Sequence, residues 1–270
     1  MEIQKTTLGR TGLKVSRIGI GSSYGINAAA LEEAFERGIN YFYWGTMRTS
    51  AMAQAIHHLA PKHRNGLVVV VQSYVSWPWL LRSSVERALQ RLRLDYADIL
   101  LLGKKDKLPT PAVLDEVHKL KASGKFRFLA ISAHQRPMFQ QYIQQQTCDI
   151  IMTRYNAAHT GSEREVFPHL PAENRPGVIA YTATRWGTLL KPVEGERTPT
   201  ACDCYRFVLR NPNVDVCLCG PANRAQLEDA YRALSLSPMT DEEMEWMRRV
   251  GKIVYPTRHH NALLRRLIFD

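Results

Sequence analysis

The chain has 270 residues, of which 45% are hydrophobic, and this is enough for a sizeable buried core. Its five cysteines are an odd number in a chain of this length, which argues against a disulfide scaffold. The net charge of +11 is spread along presumed helices and is not focused on one motif, which argues against nucleic-acid binding.

The N-terminal segment lacks the apolar core of a signal peptide. The chain contains no run of about 18 apolar residues that would span a membrane. We therefore expect a cytoplasmic protein with no membrane partner. The sequence GlyArgThrGly at 9–12 lies between alternating residues, which predicts a β-hairpin.

Beyond the hairpin, short apolar runs rich in Val and Ile alternate with longer helical patterns. The predicted strands are 17–20, 41–44, 67–71, 99–102, 126–131, 149–152, 178–181 and 214–219. The predicted helices are 28–37, 50–59, 78–92, 109–123, 137–145, 162–170, 200–209 and 224–234. Because buried parallel strands appear as continuous apolar runs, eight such units predict an α/β fold, a closed (β/α)8 TIM barrel, and we expect the hairpin to plug one end.

The chain after the eighth unit predicts one more helix and a basic tail. ThrAspGluGlu at 240–243 is typical of a helix N-terminus, so we expect a helix over about 240–250. In the tail, residues 251–270, basic residues at 258–260 and 265–266 surround apolar ones. The tail is either an amphipathic helix that packs on the barrel or a contact for a partner. Since no linker interrupts the sequence, we expect one domain over residues 1–270.

The C-terminal ends of the strands carry the active site in barrels of this kind, so their residues form the candidate site. They are Ser22–Tyr24, Tyr43, Trp44, Arg48, Gln72–Tyr74, Gly103–Lys105, Ser132–His134, Arg154–Asn156, Tyr181, Thr182 and Gly220–Ala222. This set is aromatic, amide-rich and cationic, with no carboxylate directly at a strand end. We therefore expect neither paired-carboxylate chemistry nor a metal site.

Seven segments, in the expected order and on the expected elements, resemble the aldo/keto reductase superfamily. They are 8–16 (LGRTGLKVS), 38–42 (GINYF), 94–102 (LDYADILLL), 124–132 (GKFRFLAIS), 154–156 (RYN), 180–190 (AYTATRWGTLL) and 220–228 (GPANRAQLE). The resemblance extends over nearly the whole chain and implies the same eight-stranded barrel. It also implies NADPH-dependent hydride transfer to the carbonyl group of a small molecule.

The reaction of that family implies a tyrosine that donates a proton, a lysine that lowers its pKa, an aspartate that holds the lysine, and a histidine that orients the carbonyl. By motif, the aspartate position holds Tyr43 and the tyrosine position holds Arg48. The lysine position holds Gln72, and the histidine position holds Gly103. All four groups are replaced, and loss of the general acid alone usually costs about 10²–10⁴ in rate.

Few residues at the strand ends can substitute for the missing proton donor. Arg48 can stabilise an oxyanion but is too weak an acid near neutrality, and Tyr43 and Tyr74 have no lysine at the matched site to activate them. His134 has a near-neutral intrinsic pKa, so we hypothesise that it donates the proton. In the alternative, His134 caps the following helix or lies in solvent.

The resemblance also implies a cofactor site, whose nicotinamide end is incomplete. Tyr181 matches the aromatic residue that stacks on the nicotinamide ring, and Ser132 matches one of the groups that hold the carboxamide. The usual amide partners of the carboxamide are replaced by Ala133 and Met152.

The phosphate end of the cofactor is implied by two loops. The segment 184–190 resembles the one that covers the pyrophosphate, and 220–226 resembles the adenosine-phosphate loop, where a helix N-terminus suits a phosphate. The residues predicted to contact the cofactor at this end are Arg185, Gly187, Gly220, Arg224 and Gln226. The expected cofactor is NADP(H), with NAD(H) as the alternative.

Two functions stay open at this point. One is a divergent NADP(H)-dependent oxidoreductase with a rearranged proton donor. The other is a non-catalytic barrel, a pseudoenzyme, that binds a nucleotide or a protein partner.

Overall fold

The computed structural model describes residues 3–256 and shows a closed barrel of eight parallel strands. A separate antiparallel pair, β1 (Lys5–Thr7) and β2 (Lys14–Ser16), precedes the barrel. The barrel strands are β3 (Ile18–Gly21), β4 (Tyr41–Trp44), β5 (Val68–Ser73), β6 (Ala97–Leu102), β7 (Phe126–Ser132), β8 (Ile150–Arg154), β9 (Gly177–Tyr181) and β10 (Val216–Cys219). They follow one another in chain order, and β10 closes the ring by pairing with β3.

A helical segment follows each barrel strand and returns the chain to the start of the next one. The helices are α1 (Ala28–Glu36), α2 (Ser50–His63), α3 (Pro78–Leu92), α4 (Pro111–Ala122), α5 (Pro137–Gln144), α6 (Ser162–Glu165), α7 (Ala201–Leu209), α8 (Arg224–Ser235) and α9 (Asp241–Val254). The predicted (β/α)8 barrel, with a hairpin before it and an extra helix after it, is therefore confirmed.

Side chains of each barrel strand alternate between the barrel interior and the helical layer. In β5, for example, Val68 and Val70 belong to the interior cluster, while Val69 and Val71 belong to the core beneath the helices. Both faces are buried, which explains why the strands appear in the sequence as continuous apolar runs.

The hairpin closes the end of the barrel at which the strands begin. Leu8 and Val15 are fully buried and belong to the interior cluster. Asn40, directly before β4, accepts a hydrogen bond from the Ser16 backbone at 2.8 Å and donates one to the Lys14 carbonyl at 2.9 Å. The candidate site therefore has only the opposite end of the barrel available to it.

One predicted helix, 162–170, is wrong in length. The α-helix ends at Glu165, and a short 3-10 helix follows over Phe167–His169. Pro168 is the cause, because a proline inside a helix lacks the N–H and its ring clashes with the carbonyl four residues earlier.

Other boundaries also differ from the prediction: the helix expected to end at 59 runs to His63, and two further differences have local reasons. The helix expected from 109 begins at Pro111, because the Thr110 side chain caps it by accepting from the Val113 N–H at 3.4 Å. The strand expected to end at 71 continues to Ser73, which places Gln72 within β5.

Helix α9 begins as predicted, with a capping box in which Thr240 and Glu243 satisfy each other's backbone N–H groups. It runs on to Val254, past the predicted boundary at 251.

The basic tail lies outside the described residues from 257 onward, and the extent of the domain over 1–270 stays a prediction. Within residues 3–256, no helix is both long enough and apolar enough to cross a membrane, and the cytoplasmic location also stays a prediction.

Candidate active site

The open end of the barrel, where the strands finish, brings together five of the predicted site residues. Tyr43 and Tyr181 are partly buried members of the interior cluster. Gln72, Gly103 and Ser132 each come two positions after an interior residue, and since strand side chains alternate, they face the same way. This ring of residues, Tyr43, Gln72, Gly103, Ser132 and Tyr181, is called the mouth from here on.

The two positions to which the resemblance assigns an aspartate and a lysine are bonded to each other. The Tyr43 hydroxyl donates a hydrogen bond to Gln72 Oε1. Burial raises the pKa of Tyr43 well above its ordinary value, so the phenol stays neutral at physiological pH. The pair is neutral, so this contact buries no charge.

The position to which the resemblance assigns a histidine is occupied by neighbouring side chains. A Cβ on Gly103 would lie 2.5 Å from Tyr74 Cε1 and 2.7 Å from Gln72 Nε2, so one of these side chains would have to move to admit it. The Tyr74 ring and the Gln72 amide therefore fill this place. The Tyr74 ring remains 42% exposed at the mouth.

A buried lysine holds the loop that carries Tyr74. Lys105 is 7% exposed, and its Nζ donates to the carbonyls of Tyr74 (3.3 Å) and Val75 (3.1 Å) and to Ser76 Oγ (2.8 Å). Burial lowers the pKa of Lys105. Sequence reasoning placed Lys105 at a strand end but assigned it no role, because its partners lie on another loop, about 30 residues away in the sequence.

The two remaining candidate catalytic residues, Arg48 and His134, lie at the rim of the mouth. Arg48 is exposed and has a left-handed backbone with φ +46°. The backbone N–H of His134 donates to Asp106 Oδ1 at 2.6 Å, and the exposed ring has Nδ1 3.9 Å from Asp106 Oδ2. Asp106, which sequence reasoning did not single out, is the contact that positions this segment.

Tyr181 is held by an arginine that the sequence placed at a strand end without a function. Burial raises the pKa of Tyr181, and the positive charge of Arg154, whose guanidinium lies 6.0 Å from the centre of the Tyr181 ring, opposes this. The Arg154 guanidinium also lies 5.4 Å from the centre of the Trp186 ring. Its Nε is buried with no hydrogen-bond partner among residues 3–256.

Few polar groups surround Ser132, the residue that the resemblance assigns to a carboxamide. Ser132 Oγ accepts a hydrogen bond from the Lys104 N–H at 3.1 Å. Ala133 and Met152 are both buried at this point. Their side chains offer no hydrogen bond to a ligand.

In the segment 184–190, Arg185 is buried, whereas the backbone at Gly187 is open. Arg185 is 3% exposed, and its guanidinium donates to the Val254 carbonyl and to the Tyr255 carbonyl, the latter at 2.9 Å. It therefore fastens this segment to the end of α9, a placement that favours a structural role. Gly187 has φ +79° with open space around it, which leaves the backbone approachable.

The loop before α8 places Gly220, Arg224 and Gln226 together. The Tyr24 ring packs onto Gly220 at the point where a Cβ would project. Gln226 braces the loop by accepting from the Ala222 N–H at 2.8 Å. Arg224, at the first residue of α8, forms an exposed ion pair with Glu33 at 2.9 Å.

Metal ligands do not gather in this region. Over the part of the chain that the structure describes, no three His, Cys, Asp or Glu side chains are arranged to hold a metal ion.

Comparison with known proteins identifies one family. The model of the Aldo/keto reductase family matches residues 26–203, about two thirds of the chain. The chain is 23% identical to L-galactose dehydrogenase of Arabidopsis thaliana over 309 aligned positions, covering 96% of each protein. It is 30% identical to NADH-specific methylglyoxal reductase of Escherichia coli over 144 positions, covering 51% of this chain and 43% of that protein.

Solved structures show the same fold at low sequence identity. The holo form of the aldo-keto reductase AKR11C1 from Bacillus halodurans superposes with a TM-score of 0.79 at 19% identity, covering 96% of this chain and 99% of that one. Its apo form gives a TM-score of 0.78 over the same shares.

Proposed function

Because the chain belongs to the aldo/keto reductase family, we propose that it binds a reduced nicotinamide dinucleotide at the mouth and reduces the carbonyl group of a small molecule. The observation that carries the proposal is Tyr181, whose ring lies partly exposed at the end of β9, with the Arg154 guanidinium 6.0 Å from the ring centre. The relatives named L-galactose dehydrogenase and methylglyoxal reductase support an oxidoreductase. When bound, the dinucleotide supplies a hydride to the carbonyl carbon.

The residues at the nicotinamide end fit the cofactor through stacking more than through hydrogen bonds. Tyr181 offers a ring face, Ser132 offers one hydroxyl, and Arg154 offers a positive charge beside the Tyr181 ring. The replacements at Ala133 and Met152 remove two polar contacts. We therefore expect a dinucleotide to bind more weakly here than a full set of carboxamide anchors would allow.

The phosphate end fits through the N-terminus of α8, where backbone N–H groups and the helix dipole favour an anion. Arg224 lies at this terminus, and its exposed ion pair with Glu33 is weak enough to be exchanged for a phosphate. We propose NADP(H) as the cofactor, because Arg224 suits a 2′-phosphate. NAD(H) is the alternative, because Glu33 offsets part of that charge.

During reduction, the carbonyl oxygen gains negative charge that cationic side chains can stabilise. Arg154 and Arg48 supply such charge at the mouth and its rim. His134 stays a predicted proton donor, with Asp106 as the group that would orient it.

A second candidate function is a non-catalytic barrel that binds a nucleotide or a protein partner. The neutral Tyr43–Gln72 pair and the Tyr74 ring over Gly103 favour it, because both fill places where the reaction of the family requires charged or basic groups. This function predicts binding of a ligand without turnover.

The two functions are separated by titrating the protein with NADPH and NADH and following tryptophan fluorescence, then following NADPH absorbance with a panel of aldehydes and ketones. We expect binding and slow turnover, with binding weakened in Tyr181→Ala and unchanged in Tyr96→Ala, a tyrosine that precedes β6 at the opposite end. If neither dinucleotide binds at millimolar concentration, the oxidoreductase proposal fails. Binding without turnover favours the second function.

A further inference from the structure

Two cationic residues at the open end of the barrel have an unusual backbone. Arg48, after β4, has φ +46°, and Lys104, after β6, has φ +53°. Side chains other than glycine rarely adopt this left-handed region, and where they do, the conformation is often imposed at a ligand site. Arg93, which shares it, is the C-cap of α3, where a left-handed residue is common. No helix ends at Arg48 or Lys104, so helix capping does not explain them.

The residues directly before and after Arg48 are held by hydrogen bonds. Ser22 Oγ donates to the Met47 carbonyl at 3.4 Å, and the Trp44 indole N–H donates to the Thr49 carbonyl at 3.2 Å. The surrounding structure therefore imposes the left-handed backbone that lies between these two contacts.

The backbone of Lys104 is held from the neighbouring strand β7. Its N–H donates to Ser132 Oγ at 3.1 Å, and the N–H of Lys105 donates to the Ser132 carbonyl at 2.7 Å. Asp106 supplies the one carboxylate of this loop, residues 103–110, and it accepts from two backbone N–H groups of the loop after β7, at 2.6 Å and 2.9 Å. The loop thus presents the exposed Lys104 side chain from a fixed backbone.

Neither cation is neutralised by a neighbour. Over residues 3–256, the Arg48 and Lys104 side chains form no ion pair and no hydrogen bond, and both are exposed. Arg48 Nη1 lies 3.7 Å from the point that a Cβ on Gly25 would occupy, and thus beside the loop after β3. No Asp or Glu occurs in the loops that follow β3, β4 and β5, which are residues 22–27, 45–49 and 74–77.

The strand order places both cations across the barrel from Tyr181. Since β3 to β10 follow one another around the ring, β5 lies opposite β9, which ends at Tyr181. Arg48 and Lys104 follow the two neighbours of β5. The segments that we propose for the phosphates of the dinucleotide follow β9 and β10, on the other side of the mouth, and so they do not account for these two charges.

Resting on the proposed carbonyl reduction, we propose that the substrate carries a permanent anionic group, a carboxylate or a phosphate, which Arg48 and Lys104 bind. A guanidinium holds either group through two parallel N–H···O bonds, and an ammonium adds a point charge. The carbonyl of such a substrate lies toward Tyr181 and the dinucleotide. The resemblance assigns a tyrosine to the position of Arg48 and no group to that of Lys104, so the reaction of the family does not supply this role.

The first test measures kcat/KM of the full-length protein with NADPH for matched anionic and neutral substrates. The pairs are 4-carboxybenzaldehyde and phenylglyoxylate, each with its methyl ester, and 4-formylphenyl phosphate distinguishes a phosphate from a carboxylate. We expect at least one of the anions to be preferred about tenfold over the esters, and the preference to shrink as salt screens the charges. If the esters are reduced as well as the anions, the proposal fails.

Variants of Arg48 test whether the preference comes from this side chain. Arg48→Gly removes the guanidinium and keeps the left-handed backbone, which glycine adopts without strain. It should lower the preference for the anion about tenfold, whereas Arg48→Lys should retain part of it. The control is Arg87→Ala on α3, because Arg87 is also exposed and forms no ion pair within residues 3–256. An equal fall in Arg87→Ala would assign the effect to the net charge of +11 and overturn the proposal.

A second readout is independent of turnover. Benzoate, phenyl phosphate and the neutral benzamide are titrated into the protein, with and without NADPH, and binding is followed by calorimetry. We expect one of the two anions to bind about tenfold more tightly than benzamide, and both Arg48→Gly and Lys104→Gly to weaken that anion while benzamide is unaffected. If neither anion binds more tightly than benzamide, there is no anion site and the proposal fails.

The outcomes also separate this proposal from the proposed function. Equal reduction of acids and esters overturns the anion site while carbonyl reduction stands. If no carbonyl compound is reduced but an anion binds through Arg48, the carbonyl substrate falls with the proposed function and the anion site stands. If no carbonyl compound is reduced and neither anion binds, both proposals fail.

Discussion

The Tyr43 hydroxyl donates a hydrogen bond to the Gln72 amide oxygen. The resemblance assigns an aspartate to the first of these positions and a lysine to the second, where we would expect an ion pair. In this chain the two side chains form a neutral pair, and the Gln72 amide lies with the Tyr74 ring over Gly103.

We predict that restoring only one of these charges destabilises the barrel. Gln72→Lys would bury an ammonium group next to a neutral phenol, at a position that is 8% exposed, and should cost about 3 kcal/mol in the free energy of unfolding. The double variant Tyr43→Asp/Gln72→Lys should recover at least about 1 kcal/mol of this through the new pair. Urea unfolding measures the free energy of unfolding of the two single variants and of the double variant. If the effects of the single substitutions simply add in the double variant, the two positions are not coupled.

Arg224 should distinguish the two cofactors. Because a 2′-phosphate is present only in NADPH, Arg224→Ala should weaken NADPH binding about tenfold and leave NADH binding nearly unchanged. Glu33→Gln, which removes the competing carboxylate, should strengthen NADPH binding. Calorimetric titration of the two variants checks this, and an equal loss for both dinucleotides would place the 2′-phosphate elsewhere.

Arg185 should stabilise the protein more than it serves the cofactor. Its buried guanidinium satisfies carbonyls of Val254 and Tyr255 at the C-terminal end of α9, so Arg185→Ala should cost about 2 kcal/mol in unfolding free energy. Arg185→Lys should retain only part of this stabilisation, since one ammonium group cannot donate to two carbonyls with the geometry of a planar guanidinium. Loss of NADPH affinity at unchanged thermal stability would instead support the cofactor role predicted from the sequence.

Glu243 should contribute stability that depends on pH. Its hydrogen bond to Arg206, at 2.9 Å, lowers the pKa of Glu243 below its unfolded value. The stabilisation is therefore present above about pH 5 and is lost as pH falls through the lower, folded pKa. Glu243→Gln should cost about 1 kcal/mol at pH 7, with the difference shrinking toward pH 3.

The control for this prediction is Glu228→Gln. Arg37 lowers the pKa of Glu228 in the same direction, but the Glu228 side chain is 54% exposed, so solvent screening should make the effect smaller. An equal effect of both substitutions on unfolding at pH 7 would show that the lower exposure of Glu243 adds nothing to its pairing with Arg206.

Much of the fold could be predicted from the sequence because its signals are local. Apolar runs flanked by helical patterns located all eight barrel strands, and GlyArgThrGly at 9–12 located the hairpin. Errors arose where a single residue changed the local geometry, as at Pro168, or where a strand continued through polar residues such as Gln72 that face the interior.

The candidate site was only partly accessible to the same reasoning. The positions of Tyr43, Gln72, Gly103, Ser132 and Tyr181 follow from strand alternation and from the family motifs. The roles of Tyr74 and Lys105 do not, because they depend on contacts between different loops: a ring over Gly103, and an ammonium group bonded to carbonyls 30 residues away. The one usable signal was that Gln72 and Tyr74 are two positions apart at a strand end and so face the same side.

The central claim, that this mouth carries out hydride transfer, is tested most directly with NADPH deuterated at C4 of the nicotinamide. The protein is incubated with this reagent and a reactive aldehyde, and the alcohol is analysed by mass spectrometry. The account predicts one deuterium on the former carbonyl carbon, formed in the wild type and strongly reduced in Tyr181→Ala. No deuterated alcohol above a protein-free control, with NADPH bound to the protein, would contradict it.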